Sequence, residues 1–391
     1  MHFVFQKAAV TKEFDEKRIK ERYLNSRKIF KQTMEHRQPD RIPMDIGGTT
    51  LTSMSPGCQR RLCEFLGIDK TLEPAEQWEE ILIWAGTDFR LVGDIVQLPS
   101  RNFKKISDTE FFNCWGIQKK FVDNQWQIVN APLKDASTDD LKSYPWPQPH
   151  VDEQLLEKWV NRAKDLRKQD KYVVVAAHPY FGVLELGMWL CGYDGFLLRL
   201  ALDPDFVKTF FRIICDLQLK IAKQYYSALG PYIDVTTSGD DFGMQLSPML
   251  SPKMFDELIA PIFSERIAET KKIAKCYYWH HSCGSVYDLI ENLISCGVDI
   301  LNPVQTSASK MEPARLKDSF GDRIVFWGAV DVQHFLPGAT VPQVKAHVKE
   351  LAEVLGKDGG YVMAPAHNMQ DDVPPENIAA WVQTVNSISK V

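Results

Sequence analysis

The sequence lacks a long unbroken apolar run, an excess of positive charge and any local nucleotide or serine-nucleophile motif, and each absence excludes a class of function. Its most apolar stretch, residues 179–202, is interrupted by Glu185, Asp194 and Arg199, and so reads as buried helix, not as a bilayer span. Formal net charge is −5, from 46 Lys and Arg against 51 Asp and Glu. A chain without a basic footprint is a poor partner for nucleic acid. There is no Walker loop, no GxGxxG after a strand, no GxSxG elbow and no HExxH pair, so neither a phosphate cradle nor a serine triad can be built from local motifs. The tripeptide Asp241-Phe-Gly243 matches a kinase metal-binding motif, but no HRD-type or glycine-rich loop accompanies it. The 8 cysteines are scattered without the spacing of a secreted scaffold, and residues 1–10 contain no apolar leader core. Both features point to a reducing, cytoplasmic setting with no membrane attachment.

What is present is an ordinary globular composition, 45% hydrophobic and 25% charged, long enough to need no disulfide or metal for stability. An amphipathic helix is expected from about Lys12 to Glu35. Eight β-rich runs follow, separated by helical patterns: 41–46, 88–92, 172–177, 232–237, 275–281, 298–302, 323–328 and 361–365. That rhythm predicts an α/β chain folded as one closed (β/α)8 TIM barrel over 1–391, with residues 1–40 as a helical extension. The helical period fades between residues 93 and 150. There, Phe111–Val122 and Asn124–Val129 suggest an antiparallel hairpin, and a proline-rich turn follows, so this stretch reads as an insertion at the barrel mouth.

Active sites of such barrels lie at the C-terminal ends of the strands. The most informative segment there is His281-Ser-Cys283. Residues two apart on a strand face the same side, so an imidazole and a thiolate together make half a zinc site. His367, after the last run, is the candidate that completes it, either as a metal ligand or as a substrate contact. A His/Cys/His set with one position left over is a catalytic arrangement. His280 faces the other way. Of the adjacent acids Asp240 and Asp241 only one can face the lumen; Asp241 is taken as general acid/base or substrate anchor, with a helix cap as the alternative. Asp45, His178, Asn302 and Asp331 end other runs and are expected to bind substrate. Asp94 and Glu185 are weaker candidates beside loops.

With those residues assembled, the chain resembles the uroporphyrinogen decarboxylase superfamily, and within it the branch of methylcobalamin:coenzyme M methyltransferases. The resemblance rests on His36-Arg-Gln-Pro-Asp-Arg-Ile-Pro43, Tyr144-Pro-Trp-Pro147, Asp241-Phe-Gly243, His281-Ser-Cys-Gly284, Gly328-Ala-Val-Asp331 and residues 364–378. It implies a (β/α)8 barrel, and in the methyltransferase branch a zinc held by a His-x-Cys motif and a later Cys. His281 and Cys283 match the first part, while His367 stands where the later Cys is expected. The decarboxylase branch holds porphyrin carboxylates with an Arg motif after its first strand. This chain has Gly47-Gly-Thr-Thr50 there, with Arg60 and Arg61 the nearest arginines downstream.

The resemblance therefore implies a zinc-dependent methyltransferase. It would move a methyl group between a corrinoid, carried on a partner protein, and a thiol or related small acceptor; an oxygen substrate such as a methyl ether is also compatible with a ligand set of lower charge. Cofactor-free decarboxylation of a tetrapyrrole is the alternative reaction. A non-catalytic corrinoid- or tetrapyrrole-binding barrel is the alternative without turnover.

Overall fold

The computed structural model describes residues 26–123 and 125–388. Seven parallel strands form one curled sheet in the order β1 (Phe89–Val92), β6 (Val173–Ala176), β7 (Val235–Thr236), β8 (Tyr277–His281), β9 (Ile300–Asn302), β10 (Val325–Val330) and β11 (Tyr361–Pro365). The remaining run, around Met44, closes the ring. Asp45 N–H donates to Met363 O (2.9 Å) and Met363 N–H to Pro43 O (3.0 Å) on one side, while Asp88 N–H donates to Met44 O (3.0 Å) on the other. The expected (β/α)8 barrel is the architecture found.

Alternation along each strand divides two cores. Val173 and Val175 of β6 point into the lumen with Phe89, Val235, Trp279, Ile300, Val325, Trp327, Val362 and Ala364. Val174 and Ala176 point outward to the helical layer. Strands buried on both faces need apolar side chains at nearly every position, which is why these runs lack a polar face. The outer layer is built by helices whose apolar residues recur at three and four. The longest, Pro204–Leu229, begins with Pro at N1 and an Asp203 cap, and buries Phe206, Phe210, Ile214, Ile221 and Tyr225.

The helix Ser26–Met34 closes the lower end of the lumen. Phe30 and Met34 enter the lumenal core, and the Phe30 ring stands edge-on to Phe89 at 5.4 Å and to Trp327 at 6.2 Å. The part of the expected helix before Ser26 lies outside the described residues. Below the barrel, Asp88 is fully buried and accepts from Ser26 Oγ (2.5 Å), both Arg41 amino groups and Met44 N–H (2.9 Å). That cluster pins the helix to the first barrel run.

The insertion after β1 differs from the single hairpin expected. It is a four-stranded antiparallel sheet: β2 (Lys104–Ser107), β3 (Glu110–Phe112), β4 (Gln118–Val122) and β5 (Gln125–Asn130). The segment 111–122 does not run straight, because Asn113–Gly116 turns it, with Gly116 at φ 78°. Among the described residues, no helix is long and apolar enough to cross a membrane.

Candidate metal centre

Strand β8 delivers His281 to the upper rim, and the chain then turns at Ser282 to bring Cys283 back over it. His281 Nε2 lies 3.2 Å from Cys283 Sγ. The turn depends on glycine at two places. Gly284 has φ 79°, and a Cβ there would meet Met244 O at 2.6 Å; a Cβ on Gly243 would strike Cys283 O. Asp241, just past β7, accepts the Cys283 N–H at 2.7 Å and stands 3.8 Å from His281 Nε2.

His281 is held from behind. Its Nδ1–H donates to Asn302 Oδ1 (2.6 Å), and Asn302 Nδ2 donates to Trp327 O (2.9 Å), which fixes the amide's orientation. The imidazole proton is thereby placed on Nδ1 and the Nε2 lone pair faces Cys283, the arrangement that metal-binding histidines adopt. Burial lowers the His281 pKa, which keeps the ring neutral. Burial, followed by the Asp241 charge, pushes the Cys283 thiol up.

His367 arrives from the loop after β11, its ring 5.5 Å from that of His281 at 71°. One ligand atom each from His281, Cys283 and His367 lies within 4.8 Å of the others, the one such group of three among the described residues. Ligand atoms on a tetrahedral zinc stand about 3.3–3.6 Å apart, so the three donors fit zinc after a small inward movement. His367 is the least prepared of them. Its Nδ1 accepts the Asn368 N–H at 2.8 Å, which favours a proton on Nε2 in the neutral ring. Its pKa is lowered to about 4, by burial and then by neighbouring His281.

Beside the triad opens a chamber of about 230 Å3. Its walls include Asp94, His178, Phe181, Glu185, Trp189 and Asp241, with Trp279, His281 and His367 at the inner end. Glu185 sits in the first turn of the helix Val183–Cys191, whose N-terminus is capped by Asp240 through Leu184 and Glu185 N–H, both 3.0 Å. Asp240 thus takes the cap role and Asp241 the lumen, so the two adjacent acids divide between those alternatives. Burial, then the Asp240 and Asp241 charges, push the Glu185 carboxyl up to about 8. The sequence underrated Glu185 because nothing local distinguishes it from a solvated first-turn glutamate.

Three residues expected to contact substrate do not line this chamber. Asp45 is fully buried and turned onto its own loop, accepting from Gly48 N–H (2.6 Å), Thr52 Oγ1 (2.7 Å) and Trp327 Nε1 (2.9 Å); it does not line the chamber. Asn302 is equally buried and serves His281. Asp331 is occupied by Gln333 and His334 N–H at 2.7 and 2.8 Å, and borders a separate cavity of about 70 Å3 that touches Cys283 and His367 from the other side. His178 does line the chamber, and burial followed by the Arg266 charge holds its pKa well below the usual value. His280 faces the helices, with Nδ1 2.7 Å from Ser238 Oγ and its ring stacked on Phe242.

The family model described as uroporphyrinogen decarboxylase (URO-D) matches residues 181–388, more than half of the chain. Among solved structures, a methyltransferase from Methanosarcina mazei superposes with a TM-score of 0.60 at 17% identity, covering 95% of this chain and 98% of that one. A glycoside hydrolase family 5 enzyme from Prevotella bryantii gives a TM-score of 0.37 at 10% identity, over 61% of this chain and 78% of that one. No curated protein matches the sequence.

Proposed function

The chain belongs to the uroporphyrinogen decarboxylase family, and on that premise we propose that it is a zinc-dependent methyltransferase, moving a methyl group between a corrinoid carried on a partner protein and a thiol or related small acceptor. The observation that carries this reading is the His281, Cys283 and His367 triad, two of whose members, His281 and His367, line the chamber. Three protein donors are one fewer than a closed structural zinc site uses. His281, Cys283 and His367 would hold zinc there, and the ion would supply a Lewis acid that eases deprotonation of a sulfur or oxygen substrate group near neutral pH.

The protein's own groups do the rest. Asn302 keeps the His281 Nε2 lone pair aimed at the centre, and Asp241 anchors the backbone that carries Cys283. Phe181, Trp189 and Trp279 give the chamber apolar walls that limit water beside the reacting atoms, and the barrel frame supplies alignment. Tetrapyrrole decarboxylation is disfavoured by charge: among the described residues, no Lys or Arg lines the chamber, so a polycarboxylate would meet acids without bidentate partners.

The test is direct. Zinc-loaded protein incubated with methylcobalamin and small thiols should consume the methyl–cobalt absorbance and form the methyl thioether, seen by mass spectrometry, and Cys283→Ser should abolish it. Conversion of uroporphyrinogen without metal or corrinoid would replace this reading with the decarboxylase one.

A further inference from the structure

The acids of the chamber are ordered around the barrel. Asp94 follows β1, Glu185 follows β6 and Asp241 follows β7, three neighbouring strands; the metal triad begins at the next strand, β8, with His281. The chamber therefore has an acidic wall on one side and soft metal-type ligands on the other. Among the described residues, no cationic side chain belongs to its lining. Two cations lie near but outside it: Lys119 stands 5.6 Å from the Trp189 ring on a neighbouring cavity, and Arg266 is buried with Gln218, adding its charge to Asp240.

The lining also leaves hydrogen-bonding capacity unused. Trp279 Nε1 and His178 Nε2 are buried with no hydrogen-bond partner. The Thr237 backbone favours a proton on the other nitrogen of the His178 ring, so His178 presents Nε2 as an acceptor. Of these two lining groups, His178 Nε2 suits a ligand that brings N–H donors and positive charge, and Trp279 Nε1, a donor, suits an acceptor such as the ligand's sulfur.

We propose that the chamber selects a small substrate bearing an ammonium group, held by Glu185, Asp94 and His178, with its sulfur directed at the His281–His367 end: an aminothiol, not a thiol with a sulfonate or carboxylate tail. The charge preference follows from the chamber itself; only the sulfur rests on the methyltransferase reading. Burial keeps a proton on Glu185 near neutral pH; the ligand's ammonium takes that proton's place beside the carboxylate, and the proton is released to solvent. An anionic tail would add to the repulsion and find no donor fork.

The test compares probes of similar size. With zinc-loaded protein, 2-aminoethanethiol, 2-mercaptoethanol and 2-mercaptoethanesulfonate are titrated by calorimetry near pH 7. The ammonium probe should bind about tenfold or more tightly than the sulfonate, with the neutral thiol between, tenfold being 1.4 kcal/mol. Glu185→Gln should narrow that gap severalfold. Sulfonate binding as tight as, or tighter than, ammonium binding overturns the proposal. A second arm uses metal-free protein and ligand-observed NMR with propylammonium against propanesulfonate. A stronger ammonium signal supports the charge preference even if zinc never binds, in which case only the methyltransferase reading fails. Equal signals, or a stronger anion signal, overturn it.

Discussion

His281 and Asn302 are joined by a 2.6 Å hydrogen bond from Nδ1–H to Oδ1, and Asn302 is itself fastened to the Trp327 backbone. One amide thereby decides which imidazole nitrogen faces the metal centre. Replacing it should act on metal affinity more than on folding. Asn302→Leu is expected to weaken zinc binding by about 10–100-fold, measured by competition with a chromophoric chelator.

The three donors should not be equal. His281 is pre-set for coordination, whereas His367 gives its Nδ1 to Asn368 N–H and must shift a proton to offer Nε2. His367→Ala should therefore cost less zinc affinity than His281→Ala or Cys283→Ser in the same chelator competition. Equal losses would mean that His367 is as well prepared as the other two.

Zinc uptake should be coupled to protons. Burial and Asp241 hold the Cys283 thiol above its ordinary range, so the group is protonated before metal arrives and must lose that proton to coordinate. Zinc affinity should fall as pH is lowered, and calorimetric heats in buffers of different ionisation enthalpy should report net proton release.

Glu185 gives a stability prediction of definite sign. Its carboxyl is raised to about 8 when folded, against an ordinary value of 4.5. The folded protein therefore holds this proton where the unfolded chain has lost it. The group's contribution is fully present below about pH 4.5 and is lost as pH rises towards 8. Glu185→Gln removes the penalty, so the metal-free variant should be more stable than wild type at pH 8–9, by on the order of 4 kcal/mol, and much less so near pH 5. Thermal unfolding at both pH values checks this.

At the opposite end of the barrel, Phe30 fills the lumen against Phe89 and Trp327. Phe30→Ala should destabilise the fold by about 3–5 kcal/mol, read from chemical denaturation, with little change in zinc affinity because the centre lies at the other rim.

Much of the frame was legible in the sequence, since strands buried on both faces leave dense apolar runs and the intervening helices repeat at three and four. The run at 361–365 is found over Tyr361–Pro365, and that at 172–177 over Val173–Ala176. Legibility failed where local pattern is weak. The strand Lys104–Ser107 is wholly exposed, so no burial pattern marks it, and the turn at Asn113–Gly116 hides within what reads as one hairpin arm. At the site, the sequence reading picked out His281, Cys283, His367 and Asp241 as candidates, and the structure brings them together. It could not distinguish a polar group that faces the chamber from one that braces its neighbours. Asp45 and Asn302 end barrel runs as a substrate contact would, yet both are spent on Trp327, Thr52 and His281. Glu185 carries the reverse lesson, because its carboxyl is raised by burial in the chamber wall and then by Asp240 and Asp241, more than fifty residues away in the chain.

The central claim is that one imidazole and one thiolate from this short segment share a zinc ion with His367. X-ray absorption at the zinc edge on stoichiometrically loaded protein reads that ligand set directly. The expected spectrum has one sulfur at about 2.3 Å and nitrogens at about 2.0–2.1 Å, with the sulfur shell lost in Cys283→Ser. A wild-type spectrum without sulfur, or protein that takes up no zinc when it is supplied, would contradict the account.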